Sequence, residues 1–344
     1  MSGLIGFLQY RKDPERAWKA YSFASFTKME GYEFVYFTPR HINLEDKTIN
    51  GKMYENGEWV ERTTRLPDVI YYEPGNMNKE MYEKVYQLKQ LVPFTSNPIG
   101  GKANLYRKLK NSKYFAEYII PYEIVHNTVE ILDFMNKHGK TVLKPVWGQQ
   151  GRNIMFIHQE QGHYVVETNG KQSLYFKDEF IDLMNLTINK ENYVIQKYIL
   201  CKTKEGNCFD FRLHTQKNEH GKWITLAAVP RVAQKGSIVT NMSLGGLTGI
   251  SFYFLMREYG DEAFNIERLL DRFGISLSQY LEEANGKSYD ELGIDIGVDE
   301  NKKIWIYEVN WKPGEPPFES NNIDIIKNTV KYAIYLAKQN KQTL

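Results

Sequence analysis

The segment LGIDIGVDENKKIWIYEVN, Leu292 to Asn310, constrains the fold more than any other stretch of this chain. Two apolar runs flank the turn formers Asp299, Glu300, Asn301 and Lys302, so the segment reads as a β-hairpin. Side chains alternate along a strand. Trp305, Tyr307, Val309 and Trp311 are therefore expected on one face, and Ile304, Ile306, Glu308 and Asn310 on the other. With the four turn formers as the loop, Val298 pairs with Lys303 and Asp295 lies opposite Ile306. Asp295 then joins the face of Glu308 and Asn310, with Glu308 diagonal to it at roughly 7–8 Å. Carboxylates that close resist ionising together unless a cation lies between them. A few hard oxygen ligands, with room left for phosphate and water, suit Mg²⁺ better than zinc. A polar cluster that merely holds a loop is the alternative use of the same residues.

A chain of 344 residues has room for two or three lobes. Its 44 Lys and Arg against 42 Asp and Glu give a net charge of +2, so no whole-molecule field selects nucleic acid or an anionic membrane as partner. The apolar run from Leu4 to Leu8 is too short for a signal-peptide core, and Arg11 and Lys12 follow it rather than precede it. No run is long enough to span a bilayer, and a cytoplasmic location is expected. Cys201 and Cys208 are the only cysteines; with no CxxC and no zinc-type His spacing, they are expected to be reduced structural thiols.

Along the chain, residues 3–8 read as a strand, 14–30 as a helix and 32–38 as a second strand. A hairpin with the turn ENGE (55–58), the strand-like DVIYYE (68–73) and a helix near 78–90 complete an α/β unit over 1–98. A second unit, 99–190, alternates strands and helices around TVLKPVWGQQGRNIMFI (141–157). The third, 191–344, carries the hairpin and is strand-rich apart from helices over about 261–285 and 322–340.

Lys144 ends an apolar strand, Pro145 keeps it extended, and Gly148 and Gly151 bracket a loop whose bare backbone can approach a phosphate. Neither a Walker A loop nor a GxGxxG turn occurs. The run YVIQKYIL (193–200) is a buried strand that turns polar at Gln196 and Lys197. In FDFRLHT (209–215), Asp210, Arg212 and His214 share the face opposite Phe209, Phe211 and Leu213. If Gln216 faces Lys222 across the next turn, alternation carries Arg231 to the wrong face for Arg212 unless a bulge intervenes, and Pro230 is a natural place for one.

Taken in order, Lys102, Lys144 with its GQQG loop, Gln196, DFR (210–212), Arg231, TN before LGG (240–246), GIDI and EVN resemble the ATP-grasp superfamily across residues 95–320. The DxR, R, N, GG, D, ExN series is similar to the RimK-type glutamate ligases. LKP, FDFR, GIDI and EVN with a following proline resemble more nearly the endospore coat-associated YheC/YheD-type proteins. This resemblance implies an α/β chain with the ATP-grasp fold: a Rossmann-like pre-ATP-grasp domain at 1–98, a lid lobe at 99–190, and a C-terminal lobe with the metal site at 191–344.

It also implies ligands and roles. Lys102 and Lys144 would meet the phosphates of ATP, with Gly148, Gln149, Gln150 and Gly151 over them. Gln196, Lys197, Tyr198 and Ile199 would take the adenine, and Asn241 would also contact the nucleotide. Arg212, Arg231 and Lys144 would be catalytic, and Asp295, Glu308 and Asn310 would hold Mg²⁺, as two ions. The implied activity is an ADP-forming carboxylate-amine ligase that acts through an acyl phosphate on a peptide or protein carboxylate, with an amine or amino acid as co-substrate. A kinase on the same fold and a nucleotide-binding spore-coat protein without turnover are the rival readings.

Overall fold

The computed structural model describes residues 3–146, 153–168, 170–235, 240, 246–314 and 319–343. Its first sheet holds β1 (Leu4–Leu8), β2 (Glu33–Phe37), β3 (Ile42–Asn43), β4 (Thr48–Glu55), β5 (Glu58–Arg65) and β6 (Val69–Tyr72), accompanied by α1 (Trp18–Met29) and α2 (Lys79–Leu88). β1 lies between β2 and β6, parallel to both. Burial on both faces is why these three strands are almost continuously apolar. Asn56 and Gly57, both at positive φ, close the β4–β5 hairpin, as an Asn-Gly pair is suited to do.

After α3 (Lys102–Lys110) comes a second sheet, built from β7 (Tyr122–Val125), β8 (Thr141–Pro145), β9 (Met155–Glu160), β10 (His163–Thr168), β11 (Lys171–Tyr175) and β12 (Tyr193–Lys197). Its order is β11-β10-β9-β8-β12-β7. Helices α4 (Thr128–His138) and α5 (Lys177–Ile188) cover one face through Leu143, Ile157, Val166, Phe180 and Ile195. The opposite face carries a row of direct cross-strand neighbours, Glu167, Phe156, Val142 and Gln196, with Lys144 one pleat along β8.

The third sheet is antiparallel, in the order β15-β14-β13-β16-β17. Its strands are β13 (Phe209–Lys217), β14 (Trp223–Val232), β15 (Leu247–Thr248), β16 (Glu291–Val298) and β17 (Ile304–Trp311). Helix α6 (Ser251–Tyr259), which the sequence did not announce, and α7 (Ala263–Asn285) share a core with Phe211, Leu213, Ile294 and Ile296 on one of its faces. The last helix, α8 (Glu319–Thr343), follows this sheet in sequence and so falls within the 191–344 span, yet it packs elsewhere. Its stripe Ile326, Val330, Ala333, Ile334 and Ala337, at helical spacing, buries against Ile5, Phe7, Phe23 and Tyr71 of the first unit.

Two β-bulges depart from simple alternation. In the β16–β17 hairpin Val298 pairs with Ile304 rather than Lys303, and Ile296 with Ile306. The register then slips at Tyr307, so that Asp295 stands directly opposite Glu308. Ile304, Ile306 and Val309 enter the core, while Glu308 and Asn310 take the other face. The expected grouping of Ile304 and Ile306 with Glu308 is therefore corrected, although the convergence of Glu308 with Asp295 survives. Gly297 makes the slip possible, because a Cβ there would meet Tyr307 Oη at 2.2 Å. In the second case Gln216 pairs with Ile224, and the slip between His214 and Thr215 leaves Leu226 as the extra residue. Arg231 thus ends opposite Asp210, on the face of Arg212. A bulge does turn Arg231 inward, but at Leu226 and not at Pro230.

Candidate active site

Asp295 is the centre of the polar face of the third sheet. Its cross-strand neighbours are Arg212 on β13 and Glu308 on β17. Arg212 grips it with two donors, Nε to Oδ1 and Nη2 to Oδ2, the latter at 2.9 Å. Arg231 Nη2 lies 3.1 Å from the same Oδ1. Arg231 is itself held by Asp210, through Nε at 2.6 Å and Nη2 at 2.8 Å, and Thr240 Oγ1 donates to that carboxylate at 2.6 Å. Asn310 Nδ2 reaches Asp295 Oδ2 at 3.4 Å. Burial alone would raise the Asp295 carboxyl, but Arg231 and Arg212 overcome it and hold the group below the usual range. Gly293 clears the space for this packing, since a Cβ there would meet Pro313 Cβ at 2.5 Å and Arg212 Cδ at 3.3 Å.

Lys144 reaches toward this cluster from the second sheet. Its Nζ donates to Tyr106 Oη at 2.7 Å and stands 5.3 Å from the centre of that ring. Burial pushes its pKa down to about 8, against the upward pull of Glu308 and Asp295. Farther along the same face Gln196 is 4% exposed, and its Nε2 has no partner among the described residues. The same holds for one carboxylate oxygen of Glu167 in that row. The backbone N–H groups of Lys197 and Tyr198 donate to the carbonyls of Pro121 and Lys140, at 2.9 and 2.8 Å. Those two donors are thus engaged at the sheet edge. Lys102 opens α3, but its side chain lies outside the described residues, as do Gly148, Gln149, Gln150, Gly151 and Asn241.

A family model described as YheC/D-like ATP-grasp matches residues 91–336. The chain belongs to this ATP-grasp family. It is similar to the endospore coat-associated protein YheD of Bacillus subtilis (strain 168), 26% identical over 328 residues that cover 90% of this chain and 71% of YheD. Protein YheC of the same organism is 25% identical over 324 residues, covering 90% of this chain and 88% of YheC. The solved ATP-grasp ligase PsnB, in complex with minimal precursor, Mg and ADP, superposes with a TM-score of 0.56 at 10% identity, covering 97% of this chain and 98% of that one. N5-carboxyaminoimidazole synthetase of Staphylococcus aureus gives 0.54 at 11%, covering 96% and 78%. At such identities the likeness is one of fold, that of the ATP-grasp ligases.

In this ATP-grasp chain no group of three or more His, Cys, Asp or Glu side chains that could hold a metal occurs among the described residues. The expected set is instead two carboxylates and an amide. Asp295 and Glu308 are direct cross-strand partners, which places their Cβ atoms about 4.5–5.5 Å apart, where like charges repel. Cations already answer that repulsion, in the form of the guanidinium groups on Asp295. The oxygen donors of Asp295, Glu308 and Asn310 are of the hard kind that fits Mg²⁺. Sequence reading missed Tyr106 and Thr240 as partners. Tyr106 lies one turn along α3 from Lys102, a relation visible only once the helix is placed.

Proposed function

We propose that this chain is an ATP-dependent, ADP-forming ligase that joins an amine or amino acid to a carboxylate of a peptide or protein through an acyl phosphate. The observation that carries this reading is the meeting of the acceptors Asp295, Glu308 and Asn310 with the cations Arg212 and Arg231, and with Lys144 held through Tyr106 to the strand of Glu308. The nucleotide would lie between the 99–190 lobe and the sheet of the 191–344 lobe, with the 1–98 unit alongside. Lys102, Lys144 and the 148–151 loop would face the phosphates, with Asn241 also on the nucleotide. Gln196 would meet the adenine together with the backbone of Lys197, Tyr198 and Ile199.

Mg²⁺, as two ions on Asp295, Glu308 and Asn310, would supply charge neutralisation across the terminal phosphates. Arg212 and Arg231 now spend donors on Asp295; relieved of that carboxylate, they would turn those donors to the phosphoryl oxygens. The substrate carboxylate oxygen attacks the terminal phosphorus as its bond to ADP breaks. The amine then attacks the acyl carbon, phosphate leaves, and the amine loses a proton. Positioning and charge do the work, and no covalent nucleophile from the chain is needed.

The two Bacillus relatives are named for the endospore coat, and we place this chain in the cytoplasm with the coat as its destination. Among the described residues no helix is long and apolar enough to cross a membrane. Mass spectrometry of candidate peptides incubated with ATP, Mg²⁺ and an amino-acid mixture tests the reading. An added amino-acid residue with release of ADP is expected. A stable phosphopeptide would replace the ligase by a kinase, and an absence of ADP release would end both.

A further inference from the structure

We infer that Tyr106 is a positioning residue that ties the phosphate lysine of the second sheet to the metal-site strand and so fixes where Lys144 stands relative to Glu308. Tyr106 is 1% exposed on α3 and touches both lobes. Its ring packs 4.9 Å, centre to centre, from Tyr122 on β7. Its hydroxyl accepts from Lys144 Nζ at 2.7 Å and donates to the Tyr307 carbonyl at 2.9 Å. That carbonyl belongs to the bulged residue of β17, immediately before Glu308.

A phenol has one proton to give. With that proton on the carbonyl, the oxygen can only accept from the lysine, so the order Lys144, Tyr106, Tyr307 is fixed in direction. A lysine on its flexible four-carbon stem has many rotamers. The hydroxyl and ring of Tyr106 select among them, and the bond from the same hydroxyl to the Tyr307 carbonyl ties that choice to the strand of Glu308. Phenylalanine at 106 would leave a buried carbonyl without a donor and the ammonium without its acceptor.

The inference rests on the reading that Lys144 meets nucleotide phosphates. Calorimetry on the full chain with MgATP and with adenosine, for wild type, Tyr106→Phe, Lys144→Met and the double variant, tests it. Tyr106→Phe is expected to weaken MgATP about tenfold, the scale of one charge-assisted hydrogen bond, and adenosine less than about twofold. On the Lys144→Met background the same change is expected to cost MgATP almost nothing. Losses that multiply in the double variant, or equal losses for MgATP and adenosine, would reduce Tyr106 to core support. A wild type that binds adenosine but gains nothing from the phosphates would instead remove the Lys144 reading, and this inference with it. Should Tyr106→Phe fail to fold, 3-fluorotyrosine at 106 gives a fluorine resonance that must move on Lys144→Met, and an unmoved resonance overturns the tie.

Discussion

Two ionic clusters share the polar face of the third sheet, one at Asp295 and one at Glu291 under the first unit. In the first, the side chains of Arg212, Arg231, Asp210 and Asp295 are between 7% and 21% exposed. Toward the other end, Lys312 meets Asp290 at 2.6 Å and Glu291 at 3.3 Å, and His214 stands 3.3 Å from Glu291, with exposures between 1% and 8%. Tyr71 and Thr95 of the first unit and Asn328 and Thr329 of α8 close over this second group. The chemistry of the two clusters is alike. The first is the more exposed, and under the proposed function its partners are exchanged for a ligand; the second is walled in, so its pairs act as struts between units.

Breaking the struts should have the largest effect. Lys312→Met leaves Asp290 and Glu291 buried without their cation, which should cost about 3–5 kcal/mol of stability, read by chemical denaturation, while the surviving folded fraction keeps its affinity for ATP. Comparable stability in the variant would show that the second cluster is as exchangeable as the first. Next, Glu308→Gln should lower Mg²⁺-dependent ADP release by about a hundredfold or more with a melting temperature near that of the wild type. Turnover near wild type in that variant would take the metal away from Glu308.

Lys144→Ala should follow, with a loss of about 1–3 kcal/mol in ATP binding and a smaller one for adenosine. It should also alter the pH dependence of the unliganded protein. Burial pushes Lys144 down to about 8, whereas an unfolded lysine titrates near about 10.4. Between those values the unfolded chain binds more protons, so stability should rise with pH across that window, and Lys144→Ala should flatten the rise. The smallest effect concerns Glu291. Burial favours its neutral form, but Lys312 and His214 prevail and hold it well below the carboxylate range. Its contribution is present above about 4.3, the unfolded value, and fades as pH falls below it. Denaturation midpoints from pH 6 to 3 should show the decline in wild type and less of it in Lys312→Met.

What the sequence made legible was the set of residues on each strand and the order of the motifs. Alternation brought Asp295 toward Glu308 and Asn310 without any structure. It misplaced Ile304 and Ile306 because a bulge has no strong compositional mark: Tyr307 slips only because Gly297, on the neighbouring strand, leaves its ring a place to lie. The Leu226 bulge likewise answers to pairing with β13 rather than to Pro230 nearby. The strut cluster was invisible for a further reason. His214 on β13, Lys312 just past β17 and Thr329 on α8 are far apart in sequence, and only the docking of α8 and the first unit shows that they share a dry compartment.

The docking of α8 also governs the order in which this protein can be made. A ribosome delivers β1, α1, β2 and β6 early, yet the apolar stripe that completes their core arrives only with residues 319–343. Until then Phe7, Phe23 and Tyr71 lack their cover, and the first sheet emerges as an unfinished surface that must wait for the rest of the chain. Synthesis stalled before α8 would therefore yield a nascent chain open to protease at its N-terminal end, even with the third sheet already paired.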